Sequence, residues 1–147
     1  MATEPKLIQR FPCFSNLTDT QIEAIAEISN SVCYMKDHTL FEEGDAAQWL
    51  YLLIDGDVGV SYSHPETGEA RVDTVSSDEV LGCSGLVPPH HYTATEKCLS
   101  NVEVLEINMK DLRDLIEADP QLGLKLQEHI IKTLNNRILT LRHRAFS

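Results

Sequence analysis

Between Ser31 and Ile107 the apolar stretches are all short: "VCYM", "TLF", "WLYLLI", "VGVSY", "RVDTV" and "VEVLEI" are separated by "EEGD", "DGD", "PETG" and "SSDE". The apolar pieces are rich in β-branched and aromatic residues, and the interruptions are built from Gly, Pro, Asp and Ser, which favour turns. Short strands with turn signals roughly every 8–12 residues predict an all-β sandwich or barrel rather than alternating β and α units. Gly44-Asp45 and Asp55-Gly56 suit turns with positive φ, and Gly59 within a strand suits a bend or close packing.

Both flanks have a helical period. From Asp19 to Ile28, "DTQIEAIAEI" places Ile22, Ile25 and Ala26 on one face, with Thr18 or Asp19 as the cap. Asn108 can cap "MKDLRDLIEA", and Asp119-Pro120 breaks that helix and starts another that runs to near Arg144. The last helix has two apolar stripes, and two stripes need two surfaces. Leu122, Leu126 and Ile130 would pack on the β unit, while Leu124, Ile131, Leu134, Ile138 and Leu141 at heptad spacing predict a homodimer through this helix. At 147 residues the chain has the size of one domain, with N-terminal helices over 1–30, the β unit over 31–107 and C-terminal helices over 108–147.

A formal net charge of -11 argues against nucleic acid as a partner. The basic cluster Arg137, Arg142, His143 and Arg144 reads as a solvated helix end favoured by the helix dipole. The N-terminal "MATEPKLIQR" lacks the apolar stretch of a signal peptide, and Trp49 to Ile54 is too short to cross a bilayer, so a cytoplasmic protein without membrane contact is expected. Cys13, Cys33, Cys83 and Cys98 show no C-x-x-C spacing and are expected to be free thiols, with Cys13, Cys33 and Cys98 buried. Acidic pairs such as Glu42-Glu43 lie in turns, and no nucleophile elbow, phosphate-binding loop with Lys or dinucleotide fingerprint is present, so no enzyme is expected.

The stretch "LFEEGDAAQWLYLLIDGDVGVSY" resembles the signature of the cyclic-nucleotide-binding domain family, found in bacterial regulators of the catabolite-activator type and in kinase regulatory subunits. The resemblance extends from "LIQRFPCFSNLTD" to the final helix. It implies a mainly β fold with flanking helices: a β-roll, or double-stranded jelly roll, followed by a long C-terminal helix. It also makes "LGCSGLVPPHHYTA" the phosphate-binding cassette, with Leu81, Gly82, Cys83, Ser84, Gly85, Leu86, His91, Tyr92, Thr93 and Ala94 as the candidate ligand-binding residues and Val72 and Tyr62 as further walls. The ligand so implied is a cyclic nucleotide or another small anion.

Carried over residue by residue, Gly82 fits the leading glycine, Gly85-Leu86 the small-aliphatic pair and Thr93-Ala94 the closing pair. Cys83 stands where that family has its ribose-binding Glu, and Tyr92 where it has its phosphate-binding Arg. A neutral thiol and a phenol replace two charge-assisted contacts of about 1.5–3 kcal/mol each, so weak or no binding of cyclic AMP or cyclic GMP through the usual contacts is expected. Pro88-Pro89 is expected to stop the cassette helix and hold the loop extended, and a protonated His91 would offer one anion contact. The resemblance thus implies a regulatory, small-ligand-binding module acting on a separate effector protein. The competing readings are a dimeric scaffold that has lost its ligand and, behind it, a haem sensor using Cys83, His90 or His91.

Overall fold

The computed structural model describes residues 3–66 and 68–146, with the side chains of residues 69–72 outside that description. Two short helical segments, α1 (Pro5–Gln9) and a 3-10 turn over Pro12–Phe14, lead into α2 (Asp19–Glu27). Thr18 caps α2: its hydroxyl accepts from Gln21 N at 3.2 Å and the Gln21 amide oxygen accepts from Thr18 N at 2.9 Å. Eight strands follow: β1 (Ser29–Tyr34), β2 (Thr39–Phe41), β3 (Trp49–Asp55), β4 (Val58–His64), β5 (Gly68–Val75), β6 (Val80–Leu81), β7 (Thr95–Cys98) and β8 (Val102–Asn108). They form two antiparallel four-stranded sheets, ordered β1-β8-β3-β6 and β2-β7-β4-β5. Helices α3 (Met109–Ala118) and α4 (Pro120–Phe146) close the chain, with Asn108 capping α3 through Asp111 N at 3.1 Å.

The long apolar run of β3 now has a cause. Leu50, Leu52 and Ile54 face one core, made with α1, α2, α3 and the start of α4, while Tyr51 and Leu53 face a second core inside the roll with Phe41, Val58, Val75, Leu81, Cys98 and Val104. A strand covered on both faces reads as continuous rather than alternating. Leu105 and Ile107 of β8 join the first core, and Val102 and Val104 the second.

Two strands are missing from the sequence reading, β6 and β7. Cys13 and Cys98 are buried as expected, whereas Cys33 is exposed on β1; all four cysteines are free thiols. Gly44 and Gly56 take positive φ, and a Cβ at Gly59 would lie 3.1 Å from Leu99 Cδ2. Among the described residues no helix is long and apolar enough to cross a membrane.

The two stripes of α4 separate in space. Leu122 and Leu126 are fully buried and Ile130 packs against the same core, while Leu124, Ile131, Leu134, Ile138 and Leu141 are 43–59% exposed.

Candidate functional site

The cassette begins at Gly82, whose φ of 79° turns the chain out of β6 into a 3-10 turn over Cys83–Leu86. A Cβ here would stand 3.0 Å from Tyr92 Cε1 and 3.1 Å from Trp49 O, so both backbone conformation and space select glycine. Gly85 is locked from behind. A Cβ would sit 2.6 Å from Met109 Cε and 2.8 Å from Ala47 O, and its carbonyl accepts from Arg113 Nη1 at 3.0 Å and from His90 Nδ1 at 2.8 Å. The loop beyond does not stay extended. The Pro88-Pro89 peptide is cis and His90 N donates to Val87 O at 2.9 Å, closing a turn that brings the His90 ring back under Gly85.

Tyr92 is buried. Its ring stacks on Phe41 with centroids 3.8 Å apart and 14° between planes, and its hydroxyl donates to Trp49 O at 2.7 Å while accepting from Trp49 N at 3.1 Å. The phenol therefore closes the open end of β3 instead of presenting a donor to a ligand. Burial raises the pKa of Tyr92 and of Cys83. Neither side chain carries charge at neutral pH.

A cavity of about 550 Å³ lies between the roll and α4. Val60, Asp73, Val75, Glu79, Val80 and Cys83 form the roll side. Across from them α4 presents His129, Thr133, Arg137, Thr140 and Arg144, spaced three or four residues apart and so on one helical face. Leu134 and Leu141 of the exposed stripe also line it. The basic end of α4 is thus not simply solvated. Arg137 Nη2 lies 3.8 Å from Glu79 Oε2 and Arg144 Nη2 lies 3.6 Å from Asp73 Oδ1, tying the helix to the acidic edge of the roll.

Of the cassette residues singled out in the sequence, Cys83 lines this cavity. Leu81 and Gly85 are buried but do not line it, and Gly82, Ser84, Leu86 and Ala94 are half-buried. His91 and Thr93 are exposed, with His91 bridging to Ala46. Tyr62 is 41% exposed and outside the lining, and the Val72 side chain lies outside the described residues. His90 is engaged with Gly85 O, and among the described residues no group of three or more His, Cys, Asp or Glu side chains is placed to hold a metal ion.

Glu96 on β7 was not singled out from sequence. It is 8% exposed, its Oε1 has no hydrogen-bond partner among the described residues, and burial pushes its carboxyl up to about 7, with Arg137 opposing and Glu79 adding to the rise. A glutamate at an inward-facing strand position was the signal available.

The chain belongs to the cyclic nucleotide-binding domain family, whose model matches residues 31–119. It is 30% identical to a solved protein of Geobacter metallireducens named "Putative Cyclic nucleotide-binding protein", with a TM-score of 0.83 over 92% of this chain and 98% of that one. The N-terminal domain of a transcriptional regulator from Streptomyces coelicolor is 27% identical with a TM-score of 0.72, over 89% of this chain and 94% of that one. The cAMP-activated global transcriptional regulator CRP of Pasteurella multocida is 29% identical over 77% of this chain and 54% of its own length. The chain spans between 32% and 58% of the length of the curated relatives it matches.

Proposed function

We propose that the protein is a regulatory module that binds a small molecule between its β-roll and α4 and signals occupancy by the position of that helix. One observation carries the reading: the cavity has the roll as one wall and α4 as the other, so a ligand that touches both changes the free energy of docking the helix. Across the cavity the helix is tied to the roll by ion pairs at 3.8 and 3.6 Å between half-exposed groups, which are weak restraints.

The usual cyclic-nucleotide contacts are not the mode of binding in this reading, because Cys83 is neutral and the Tyr92 hydroxyl is engaged with the Trp49 backbone. The same replacements favour a second reading, a scaffold that kept the shape without a ligand. In both, the exposed stripe of Leu124, Ile131, Leu134, Ile138 and Leu141 forms a homodimer, and in the first a separate effector protein reads the helix. The free thiols fit a cytoplasmic setting, and a net charge of -11 disfavours nucleic acid.

Thermal unfolding against cyclic AMP, cyclic GMP, cyclic dinucleotides, inorganic phosphate and small organic cations separates the two. A ligand at one hundred times its Kd adds about 2.7 kcal/mol, or roughly 5–10 °C for a domain of this size. Such a shift with any of them supports the sensor, and flat melting temperatures throughout favour the scaffold.

A further inference from the structure

Glu96 is not itself among the residues lining the cavity, but it shares a sheet face with one that is. In the β4–β7 ladder its partner is Val60, directly opposed residues share a face, and Val60 lines the cavity. Among the described residues, the charged and titratable groups that act on Glu96 across this space are Arg137 of α4 and Glu79 ahead of β6, with Cys83 and Tyr92 feeling its charge in turn. A buried carboxyl oxygen without a donor either keeps the group protonated or waits for a partner.

Two hydroxyls of the facing helix offer acceptors, beside the Asn136 amide, which offers both donors and an acceptor. Thr133 Oγ1 donates to His129 O at 3.1 Å and Thr140 Oγ1 donates to Asn136 O at 3.0 Å, so what each hydroxyl has left for a ligand is lone pairs. Both arginines of the wall already face carboxylates, Arg137 with Glu79 and Arg144 with Asp73. The His129 imidazole is held below its ordinary value by burial and by Lys132, which removes it as a cation at neutral pH. An anion entering the cavity competes with Glu79 and Asp73 for the arginines, whereas a cation meets a carboxyl oxygen with no donor among the described residues.

We propose that the cavity binds a small organic cation of the amidine, guanidine or amine class, whose N–H groups donate to Glu96 while its apolar body lies against Val60, Val75, Val80, Ile130 and Leu134. This rests on reading the domain as a ligand-binding module and supplies the chemical class of the ligand. An amidinium or guanidinium fits best, because its planar pair of N–H donors matches both oxygens of a carboxylate. Binding selects the ionised form of Glu96, so affinity rises as the carboxyl, pushed up to about 7, loses its proton.

The test uses benzamidine and agmatine as cationic probes, with cyclic AMP and inorganic phosphate as anionic ones, in calorimetry and thermal unfolding of the full chain. Benzamidine is expected to bind the wild type and to bind about tenfold more tightly at pH 8 than at pH 6. Glu96→Gln, checked for folding by circular dichroism, is expected to weaken it at least about tenfold. Thr133→Arg, on the half-exposed helix, places a cation across the cavity and is expected to abolish binding even if the Gln variant folds poorly. Benzamidine binding that is equal in wild type and variants, or a shift with cyclic AMP or phosphate and none with the cations, overturns the cation assignment and leaves the ligand-binding module standing. No shift with any probe of either charge overturns both.

Discussion

Glu96→Gln should stabilise the protein at pH 8 and hardly at all at pH 5. Burial, reinforced by Glu79 and opposed by Arg137, moves the carboxyl from an ordinary 4.5 to about 7. The folded state therefore holds this proton more tightly than the unfolded chain does. The stability that the proton lends is complete below about 4.5 and is lost as pH climbs through about 7. At about 1.4 kcal/mol per pH unit, leaving Glu96 ionised in the fold costs roughly 3 kcal/mol once the titration is complete, of which about 2–3 kcal/mol develops between pH 5 and pH 8. Glutamine keeps the shape and cannot titrate. The melting temperatures of the two proteins should thus diverge by roughly 5–10 °C across that interval. Comparing the divergence between two pH values, rather than the offset at one, cancels whatever the amide changes in packing. Arg137→Ala, by removing the opposing charge, should move the wild-type transition to higher pH. Parallel Tm-against-pH curves for wild type and Glu96→Gln would refute the argument, because they would mean that Glu96 ionises in the fold as easily as in water.

Gly85→Ala drives a Cβ to 2.6 Å from Met109 Cε and 2.8 Å from Ala47 O, and since the second neighbour is backbone the strain should cost about 1–3 kcal/mol, read as a lower Tm. Tyr92→Phe keeps the stacking on Phe41 but strips the hydroxyl from Trp49 N and O, which should cost about 1–3 kcal/mol by denaturant titration; an unchanged midpoint would mean the Trp49 groups find other partners. Ile131→Glu with Ile138→Glu alters two exposed positions that do not line the cavity, and sedimentation should then show a monomer with unchanged thermal stability of the domain. An unchanged mass would place any self-association on another surface.

What the sequence discloses depends on whether a residue's role is decided by its neighbours in the chain or by an element far away. Thr18, Asn108 and Asp119-Pro120 act within one turn of themselves, and each stands where local chemistry puts it. The roll was legible for the same reason, since its turns carry their own Gly and Asp signals. Strand β7 was not, because its inward position at residue 96 holds a glutamate where an apolar residue would have completed the alternation. A rule broken at a buried site is where function is sought first, and the carboxyl there faces the cavity side of the sheet. Arg137 and Arg144 read as a solvated helix end because nothing near them in the chain says that α4 lies along Asp73 and Glu79. That Cys83 and Tyr92 carry no charge could be read from the sequence, but not what Tyr92 does: its ring stacks on Phe41 and its hydroxyl closes β3. The contacts that hold the cassette's backbone, from Arg113, His90 and Met109 onto Gly85, lie behind the turn, so they constrain its shape whatever side chains line the cavity. Shape and recognition are therefore separable in this fold, and a family match that reports the first leaves the second to be read from Glu96, Cys83 and the facing stripe of α4.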